Sequence, residues 1–425
     1  MARRSRKDRG ALRGRGAARS PRRHPPVSAI SLYVHVPFCA ARCPYCDFAT
    51  APATSRLRSR YLDALATEIG REGAALDRPS VRTLYVGGGT PSLIEPDEIA
   101  SLAGALRDAF DLALEEATVE ANPATLDRAR LLAWRALGIT RVSLGAQSLN
   151  TAGLRALGRT HQAEDTAAAV DAIRSLGLAV SLDLIFGWPG QTAEAWRADL
   201  GGAIALQPDH LSCYPLELNL EPEEAVANWP GAGWESVRRW RADAGAAQVD
   251  DEGMARLYRI AERTLQAAGY RHYEIANWAR RGSECRHNLV YWRNGEWLGV
   301  GAGAHSHLAG ARSRRPGALT AYLEMIDADA PRIADPLADD EADTAMLALR
   351  LDEGLDLVEY AGRFGDPAVA RRRAALAASV ALGLVRLDHD VARLTPRGRL
   401  LASEVFVRLL PDDDVATRSR VLAAT

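Results

Sequence analysis

The residues of this sequence best suited to chemistry are three cysteines in one short segment, Cys39, Cys43 and Cys46. Their CxxxCxxC spacing lets three thiolates meet at one metal centre from a single loop. Structural zinc needs four ligands, and no fourth ligand stands at zinc-finger spacing. Three soft thiolates instead favour an iron–sulfur cluster with one iron left open to a substrate or cofactor. We therefore predict an iron–sulfur site; buried free thiols or an incomplete zinc site are the alternatives.

Polar residues stand where successive predicted strands end. Glu120 ends the third strand, and Asp183 ends the fifth. Gln147 and Ser148 follow the fourth. A polar group at an apolar strand end is costly unless it finds a partner. Four of them in succession are better explained by one shared ligand than by separate packing roles.

Two further motifs fit such a ligand. The glycines of 87–89 follow the second strand, where their backbone N–H groups could approach a polar group; an ordinary tight turn is the alternative. Arg159, in LGRTH, could pair with a carboxylate of the ligand, or it could be a surface arginine.

The elements that must position these residues are strands alternating with helices. The strand-like runs are 30–36, 81–86, 117–121, 139–144, 178–186 and 210–214. The helix-like segments lie near 57–75, 96–110, 124–137, 163–176 and 192–206. Nearly continuous apolar strands suit a parallel sheet that is covered on both faces. The pattern leaves open a doubly wound sheet and a full or partial barrel, and in barrels the carboxyl ends of the strands form the catalytic face.

The pattern divides the chain into three parts. We expect a disordered Arg-rich leader at 1–28, a main α/β domain at 29–315 and a small helical, winged-helix-like domain at 316–425. The Trp-rich stretch 221–250 interrupts the main domain as an inserted loop. It is a lid, a patch facing a membrane or a partner protein, or plain packing. The C-terminal domain has few basic residues in its predicted recognition helix, so we expect no nucleic-acid partner.

Composition excludes several classes of protein. The chain has 425 residues, 47% hydrophobic and 25% charged, with a formal net charge of −1. These values are those of a globular chain and indicate no broad field for polyanions. Five cysteines make no disulfide framework, and no apolar run is long enough to span a membrane. We expect a cytoplasmic protein.

The motifs together resemble the radical S-adenosylmethionine (SAM) superfamily. More closely, they resemble the branch that holds oxygen-independent coproporphyrinogen III oxidase and the HemW family of haem chaperones. The resemblance covers about residues 29–410. Its motifs are YVHVPFC (33–39), GGGTPS (87–92), EANP (120–123), RVSLGAQS (141–148), LGRTH (157–161), DLIFGWPGQT (183–192), GYRHYEIANWA (269–279), HNLVYW (287–292) and GVGAGAHS (299–306).

The resemblance implies a partial (β/α)6 barrel with a 4Fe-4S cluster and SAM. It makes Cys39, Cys43 and Cys46 the ligands of the cluster. The residues that match family positions around SAM are Tyr33, Tyr45, Gly88, Gly89, Thr90, Glu120, Gln147, Arg159 and Asp183. It also implies an electron donor as a partner.

Two functions of different classes are consistent with this branch. A haem chaperone would bind haem and pass it to a respiratory apoprotein, whereas the oxidase would decarboxylate two propionates of coproporphyrinogen III. Phe48 stands where the oxidase motif has a further cysteine, and only a short, aromatic-free segment precedes the first strand. HNLVYW resembles a signature of the chaperones, in which His287 would contact haem; a hydrogen-bonded core histidine is the alternative. We therefore favour the chaperone.

Overall fold

The computed structural model describes residues 29–218, 228–229 and 232–410, without the side chains of 232–234. The predicted leader lies outside these residues, as do part of the Trp-rich stretch and the last fifteen positions. Within the described ranges, no helix is long and apolar enough to cross a bilayer.

The first half of the chain alternates strands and helices. Its strands are β1 (Ala29–Val36), β2 (Phe38–Cys39), β3 (Ala51–Pro52), β4 (Ser80–Gly88), β5 (Glu116–Ala121), β6 (Arg141–Gln147), β7 (Ala179–Phe186) and β8 (His210–Pro215). Its helices are α1 (Ser55–Ala75), α2 (Pro96–Ala109), α3 (Arg128–Leu137), α4 (Thr151–Ala156), α5 (Ala163–Ser175) and α6 (Ala193–Ala205). The six predicted strands and five predicted helices are confirmed, with ends that shift by a few residues.

The second half is less regular. Its strands are β9 (Arg271–Glu274), β10 (Asn277–Ala279), β11 (Trp297–Val300), β12 (His305–Leu308), β13 (Ala311–Arg314), β14 (Ile333–Ala334), β15 (Leu355–Asp356), β16 (Val385–Asp388) and β17 (Val391–Leu394). Its helices are α7 (Ala232–Ala246), α8 (Asp251–Ala267), α9 (Arg286–Trp292), α10 (Leu319–Asp327), α11 (Asp340–Ala348), α12 (Leu357–Phe364), α13 (Asp366–Ala381), α14 (Pro396–Leu400) and α15 (Ala402–Val407).

A twelve-stranded sheet organises the molecule. Strands β1 and β4 to β8 are parallel and lie side by side in chain order, and β11 pairs in parallel with the other edge of β1. Antiparallel strands extend both edges, β10 and β9 beyond β8 and β12 to β14 beyond β11. The order begins at β14 and ends at β9, so the sheet does not close among the described residues. The predicted α/β class with a partial barrel is confirmed.

Local sequence signals set the ends of the crossover helices. The side chain of Asp127 accepts a hydrogen bond from the N–H of Arg130 before α3, and Thr192 accepts one from Ala195 before α6. Such N-caps use donors that the first helical turn leaves unpaired. Because a helix begins soon after β4, β5, β6 and β7 end, the loops at the carboxyl ends of these strands are short, whereas the cysteine loop after β1 is longer.

Two large hydrophobic cores are present, together with a small cluster of Leu157, Ile185, Trp188 and Leu216. The larger packs the sheet against its helices and includes residues 30–326, and the smaller lies within 345–409. The smaller core contains α13, the β16–β17 hairpin and α15, which matches the predicted winged-helix-like pattern. Buried residues of α10, after the predicted boundary, belong to the larger core. The boundary near residue 315 therefore stays a prediction, and burial favours a later one.

The Trp-rich stretch differs from the expected loop, because residues 232–246 form α7. The indole N–H of Trp240 donates to the carbonyl of Ala156, and that of Trp229 donates to Thr50 Oγ1. Trp234 lies among the side chains that are not described. The polar and aromatic residues of this stretch show no clear helical period, so the sequence did not predict α7. Contacts with the cysteine loop hold the helix in place.

Candidate functional site

One continuous cavity of about 1160 Å³ runs from the cysteine loop, past the strands β4 to β8, to α14 and α15. Eleven of the predicted site residues line it. They are Cys39, Cys43, Tyr45, Cys46, Gly88, Gly89, Thr90, Glu120, Gln147, Arg159 and Asp183. The structure thus brings together residues from six separate segments of the chain. Tyr33 and His287 are not part of the lining.

The three cysteines stand on the loop that follows β1. Cys39 Sγ lies 3.5 Å from Thr90 Oγ1, and Cys43 Sγ lies 3.3 Å from Arg159 Nη1. Burial raises the pKa of Cys39 to about 11 and that of Cys46 to about 12. Cys39 and Cys46 therefore hold their protons at neutral pH, and a metal centre has to displace these two protons to bind.

Three guanidinium groups surround this loop. Arg42 and Arg241 both donate to the carbonyl of Cys46, at 2.5 and 3.4 Å, and Arg241 also donates to the carbonyl of Pro44 at 2.8 Å. Arg241 forms a further ion pair with Asp47 at 2.5 Å. With Arg159 at Cys43, these cations offset the negative charge of thiolates gathered in one place.

The glycine turn has a role that differs from the predicted one. The N–H of Gly88 donates to Glu120 at 2.9 Å, that of Gly89 to the carbonyl of Val36 and that of Thr90 to the carbonyl of Phe38. These N–H groups are therefore used by the protein itself. Glycine is needed for close approach, because a Cβ on Gly88 would lie 2.4 Å from the ring of His35 and Gly88 has φ +113°.

Glu120 is held inside the cavity. Its second carboxylate oxygen accepts a hydrogen bond from the hydroxyl of Tyr85 at 2.9 Å. Burial, together with the nearby charge of Asp183, raises the pKa of Glu120 to about 7. Burial also raises the pKa of Asp183, which accepts a hydrogen bond from Ser143 at 3.0 Å. The cavity thus contains two acidic groups that a cationic ligand would favour in their ionised forms.

Gln147 and Arg159 occupy neighbouring parts of the wall. Gln147 ends β6 with φ +64°, a backbone conformation that few residues other than glycine adopt. Arg159 Nη2 donates to the carbonyl of Gly145 at 2.9 Å, so its guanidinium lies between β6 and the cysteine loop. Ser148, the fourth polar strand-end residue, is instead buried against Asp199 at 2.9 Å and does not reach the cavity.

The two tyrosines of the predicted set differ in placement. Tyr45 packs beside Leu157, Ile185 and Trp188 at the cavity wall. Tyr33 lies behind the wall, where its hydroxyl hydrogen-bonds His35 at 3.0 Å and its ring stacks on Tyr85. Tyr33 is not part of the cavity lining, and its expected contact with a ligand stays a prediction.

His287 is also placed differently from the expectation. It is fully buried at the start of α9, and its two ring nitrogens hydrogen-bond Thr83 at 2.8 Å and Tyr291 at 2.7 Å. Burial lowers its pKa to about 3, so the ring is neutral. With both nitrogens hydrogen-bonded and no place in the cavity lining, His287 has the surroundings of a hydrogen-bonded core histidine, and its contact with haem stays a prediction.

The donor set of the loop fits an iron–sulfur cluster better than a single metal ion. Among the described residues, no three His, Cys, Asp or Glu side chains are grouped as one ion would require. In a cluster each thiolate binds a different iron, so the sulfurs stand further apart. Three thiols at the cavity edge, with cations beside them, suit that chemistry.

Sequence reasoning missed several residues of the site. Arg42 stands inside the cysteine motif, and its position there was an available signal. No local signal marked Arg241 on α7 or Arg350 in the turn after α11, because both come from distant parts of an arginine-rich chain. The second wall of the cavity, from α8, α14 and α15, was missed for the same reason.

Comparisons with known proteins agree with this geometry. Residues 33–200 match the model of the Radical SAM superfamily, and residues 338–401 match that of the HemN C-terminal domain. The chain is 39% identical over 394 residues to the protein named heme chaperone HemW of Mycobacterium tuberculosis (strain ATCC 25618 / H37Rv), covering 91% of this chain and 96% of that one. It is 31% identical over 385 residues to the HemW of Bacillus subtilis (strain 168), covering 88% and 98%.

The fold has a counterpart among solved structures. Coproporphyrinogen III oxidase (HemN) from Escherichia coli, described as a radical SAM enzyme, matches with a TM-score of 0.76 and 24% identity over 91% of each chain. At that identity the likeness concerns the fold alone. The radical SAM superfamily implies a 4Fe-4S cluster and SAM, which agrees with the cysteine loop and the cavity beside it. The chain belongs to the HemW family of the radical SAM superfamily.

Proposed function

We propose that this protein is a haem chaperone that binds a 4Fe-4S cluster, SAM and haem, and delivers the haem to a respiratory apoprotein. The observation that supports it most directly is the large volume of the cavity, together with the position of the predicted SAM residues at one of its ends. Pockets for one small ligand usually measure about 300–1,000 Å³. At about 1160 Å³, with the predicted SAM residues gathered at the cysteine end, the cavity has room for a second and larger ligand.

We assign the cluster to Cys39, Cys43 and Cys46, whose loop is braced by Arg42 and Arg241. When bound, such a cluster supplies electrons to SAM. Among the residues of this chain, Arg159 lies beside Cys43 and can pair with a carboxylate, while Glu120 and Asp183 provide negative charge further inside. We assign Tyr45, Gly88, Gly89, Thr90 and Gln147 to the remaining wall of the SAM site.

Two predicted residues support this site from behind. The ring of Tyr33 stacks on Tyr85, and the hydroxyl of Tyr85 donates to Glu120. His287 packs on the other side of Tyr85, with ring centroids 5.4 Å apart. We propose that Tyr33 and His287 position Tyr85, and through it Glu120, without touching a ligand.

Haem binding, the accepting apoprotein and the electron donor are parts of the proposal, as is a cytoplasmic location. Relatives named heme chaperone HemW over nearly their whole lengths support the chaperone over the oxidase. Phe48, which stands in place of the oxidase cysteine, is 64% exposed at the cavity lining. An exposed aromatic ring there suits contact with an apolar macrocycle or with an acceptor protein.

The test compares the two functions on reconstituted protein under anaerobic conditions. One sample receives SAM, reductant and coproporphyrinogen III, and the products are weighed by mass spectrometry. A second sample is titrated with haem and followed by absorbance. We expect saturable, stoichiometric haem binding and no decarboxylation. Loss of two carboxyl groups per porphyrinogen would assign the oxidase function instead.

A further inference from the structure

The wall of the cavity opposite the cysteine loop is apolar and basic. Helix α8 and the C-terminal elements α14 and α15 form it together with Ile275. Its apolar side chains are Met254, Tyr258, Ile275, Leu400, Leu401 and Phe406. Four arginines line the same part of the cavity. Arg399 is paired with Glu262, and the others are Arg259, Arg350 and Arg397. An apolar surface with cations at its edge is complementary to a flat, apolar molecule that has carboxylates on its rim.

Arg350 is the best placed of these cations. Its guanidinium lies 4.3 Å from the centre of the Trp292 ring, a cation–π arrangement that fixes its position. Its Nε is buried and has no hydrogen-bond partner among the described residues. The Glu274 carboxylate approaches only to 4.0 Å. The Arg350 side chain therefore has unused hydrogen-bonding capacity next to the cavity.

The acidic groups nearby compete weakly for this charge. Glu217 lines the cavity within the electrostatic reach of Arg350, but burial and the charge of Asp47 raise its pKa. Burial also raises the pKa of Glu274. No ion pair involves Arg259 or Arg397 within the part of the chain that the structure describes. A ligand carboxylate would thus be the strongest available partner for these arginines.

We infer that this wall is a carboxylate-binding site, in which Arg350 pairs with one acidic side chain of a macrocycle and Arg259 or Arg397 with another. The inference rests on the proposed function and adds the orientation of the ligand. The macrocycle would lie with its carboxylates towards α8 and the C-terminal elements and its opposite edge towards the cysteine loop.

In this proposal the HNLVYW segment has a structural role that does not require its histidine to bind iron. The ring of Trp292, the last residue of the segment, packs against the guanidinium of Arg350, and Asn288 lines the cavity. His287 fixes the same helix by bonding Thr83 on β4. The segment therefore holds the arginine at the cavity while its histidine remains buried.

The test uses full-length protein and two ligands that differ only in their carboxylates, haem and its dimethyl ester, titrated in the same low concentration of detergent. Arg350→Gln is the main variant, and Arg350→Lys retains the charge. Arg386→Gln is the matched control, because the exposed Arg386 side chain on β16 forms an ion pair with the neighbouring Asp388. Cluster content and the thermal midpoint show whether each variant is folded.

We expect the wild type and Arg386→Gln to prefer haem over the diester by about ten-fold or more, since a hydrogen bond to a charged group contributes about 1.5–3 kcal/mol. In Arg350→Gln the haem affinity should fall about ten-fold while the diester affinity stays constant, and Arg350→Lys should restore part of the preference. Equal binding of both ligands by the wild type would overturn the inference alone. An unchanged preference for haem in Arg350→Gln would do the same. Binding of neither ligand would overturn the proposed function and this inference together.

Discussion

Among single residues, the three cysteines of the loop differ from the other two by their surroundings. Cys285 Sγ lies 3.5 Å from Glu116, an acidic partner, and Cys213 is buried within the sheet. Replacing Cys39, Cys43 or Cys46 with Ala should abolish the 4Fe-4S chromophore, because each thiolate binds a separate iron. Cys213→Ala should leave it intact. Iron and sulfide analysis measures this, and full content in any of the three loop variants contradicts the assignment.

Glu120 should make stability depend on pH. Its folded-state pKa of about 7 lies above the value of an exposed carboxyl, so the native state binds a proton that the unfolded chain releases. The stabilisation is therefore complete at low pH and is lost as the pH rises through about 7. In the protein without SAM, the urea concentration at the unfolding midpoint should decrease as the pH is raised from 5 to 8.

The matched variant isolates this effect. In Glu120→Gln, the decrease of the free energy of unfolding over this pH range should be smaller than in the wild type by up to about 3 kcal/mol, since one pKa unit corresponds to about 1.4 kcal/mol. Glu324→Gln, at an exposed position on α10, should behave like the wild type. Parallel curves for the wild type and Glu120→Gln would show that Glu120 is already ionised at pH 5.

Among the elements, α7 is fixed to the cysteine loop by the buried Arg241. Its guanidinium holds two carbonyls of the loop and Asp47, so Arg241→Gln should loosen the loop and open it to solvent. We expect cluster loss in air to become about three- to ten-fold faster, as for the loss of about 0.7–1.4 kcal/mol of hydrogen-bond energy. Bleaching of the cluster absorbance measures the rate. Arg239→Gln, exposed on the same helix, is the control; equal rates in all three proteins would exclude the bracing role.

Helix α9 depends in the same way on His287. His287→Ala would leave Thr83 and Tyr291 without their partner and create a cavity, so the free energy of unfolding should fall by about 2–4 kcal/mol. The folded fraction should bind haem within about two-fold of the wild type. Urea titration and haem titration check the two parts separately. Full stability with lost haem affinity would restore the original expectation of a haem contact.

The sequence predicted those elements whose periodicity differs from that of their neighbours. Long apolar runs separated by amphipathic helices correspond to β1 and β4 to β8, because both faces of a parallel sheet are buried. Strands of two to four residues, such as β9 and β14, have too few residues for a period. The burial of His287 was equally hidden, since a histidine at a ligand and a histidine bonded to Thr83 look the same in a sequence.

In the whole molecule, the cavity lies between the parallel sheet and the C-terminal elements, and each side forms a different part of its wall. The cysteine end is built from the loops of the parallel sheet. The opposite wall needs α14, whose Leu400 packs on the larger core, and α15, which belongs to the smaller core. A sequence motif identifies the first end because its residues are close together in the chain. The second wall forms only through tertiary packing, which brings Arg259 near residues almost 140 positions later, so no local pattern could reveal it.

This division predicts that the two ligands can be weakened separately. Arg399 on α14 hydrogen-bonds Glu262 on α8 and approaches Asp352 to 3.5 Å, and Asp352 also pairs with His272 at 2.7 Å. These half-buried pairs hold the smaller unit against the wall of the cavity. Glu262→Gln should therefore weaken haem binding by about three- to ten-fold, which corresponds to about 0.7–1.4 kcal/mol, while SAM affinity and cluster content stay constant.

Parallel titrations with haem and SAM measure the two effects. Asp390→Asn, which removes an exposed pair with Arg373 inside the smaller unit, is the control and should change neither affinity. An equal loss of both affinities in Glu262→Gln would mean that the cavity responds as one rigid site. A selective loss of haem affinity is the result expected if the sheet alone forms the SAM site and the docked C-terminal elements complete the haem site.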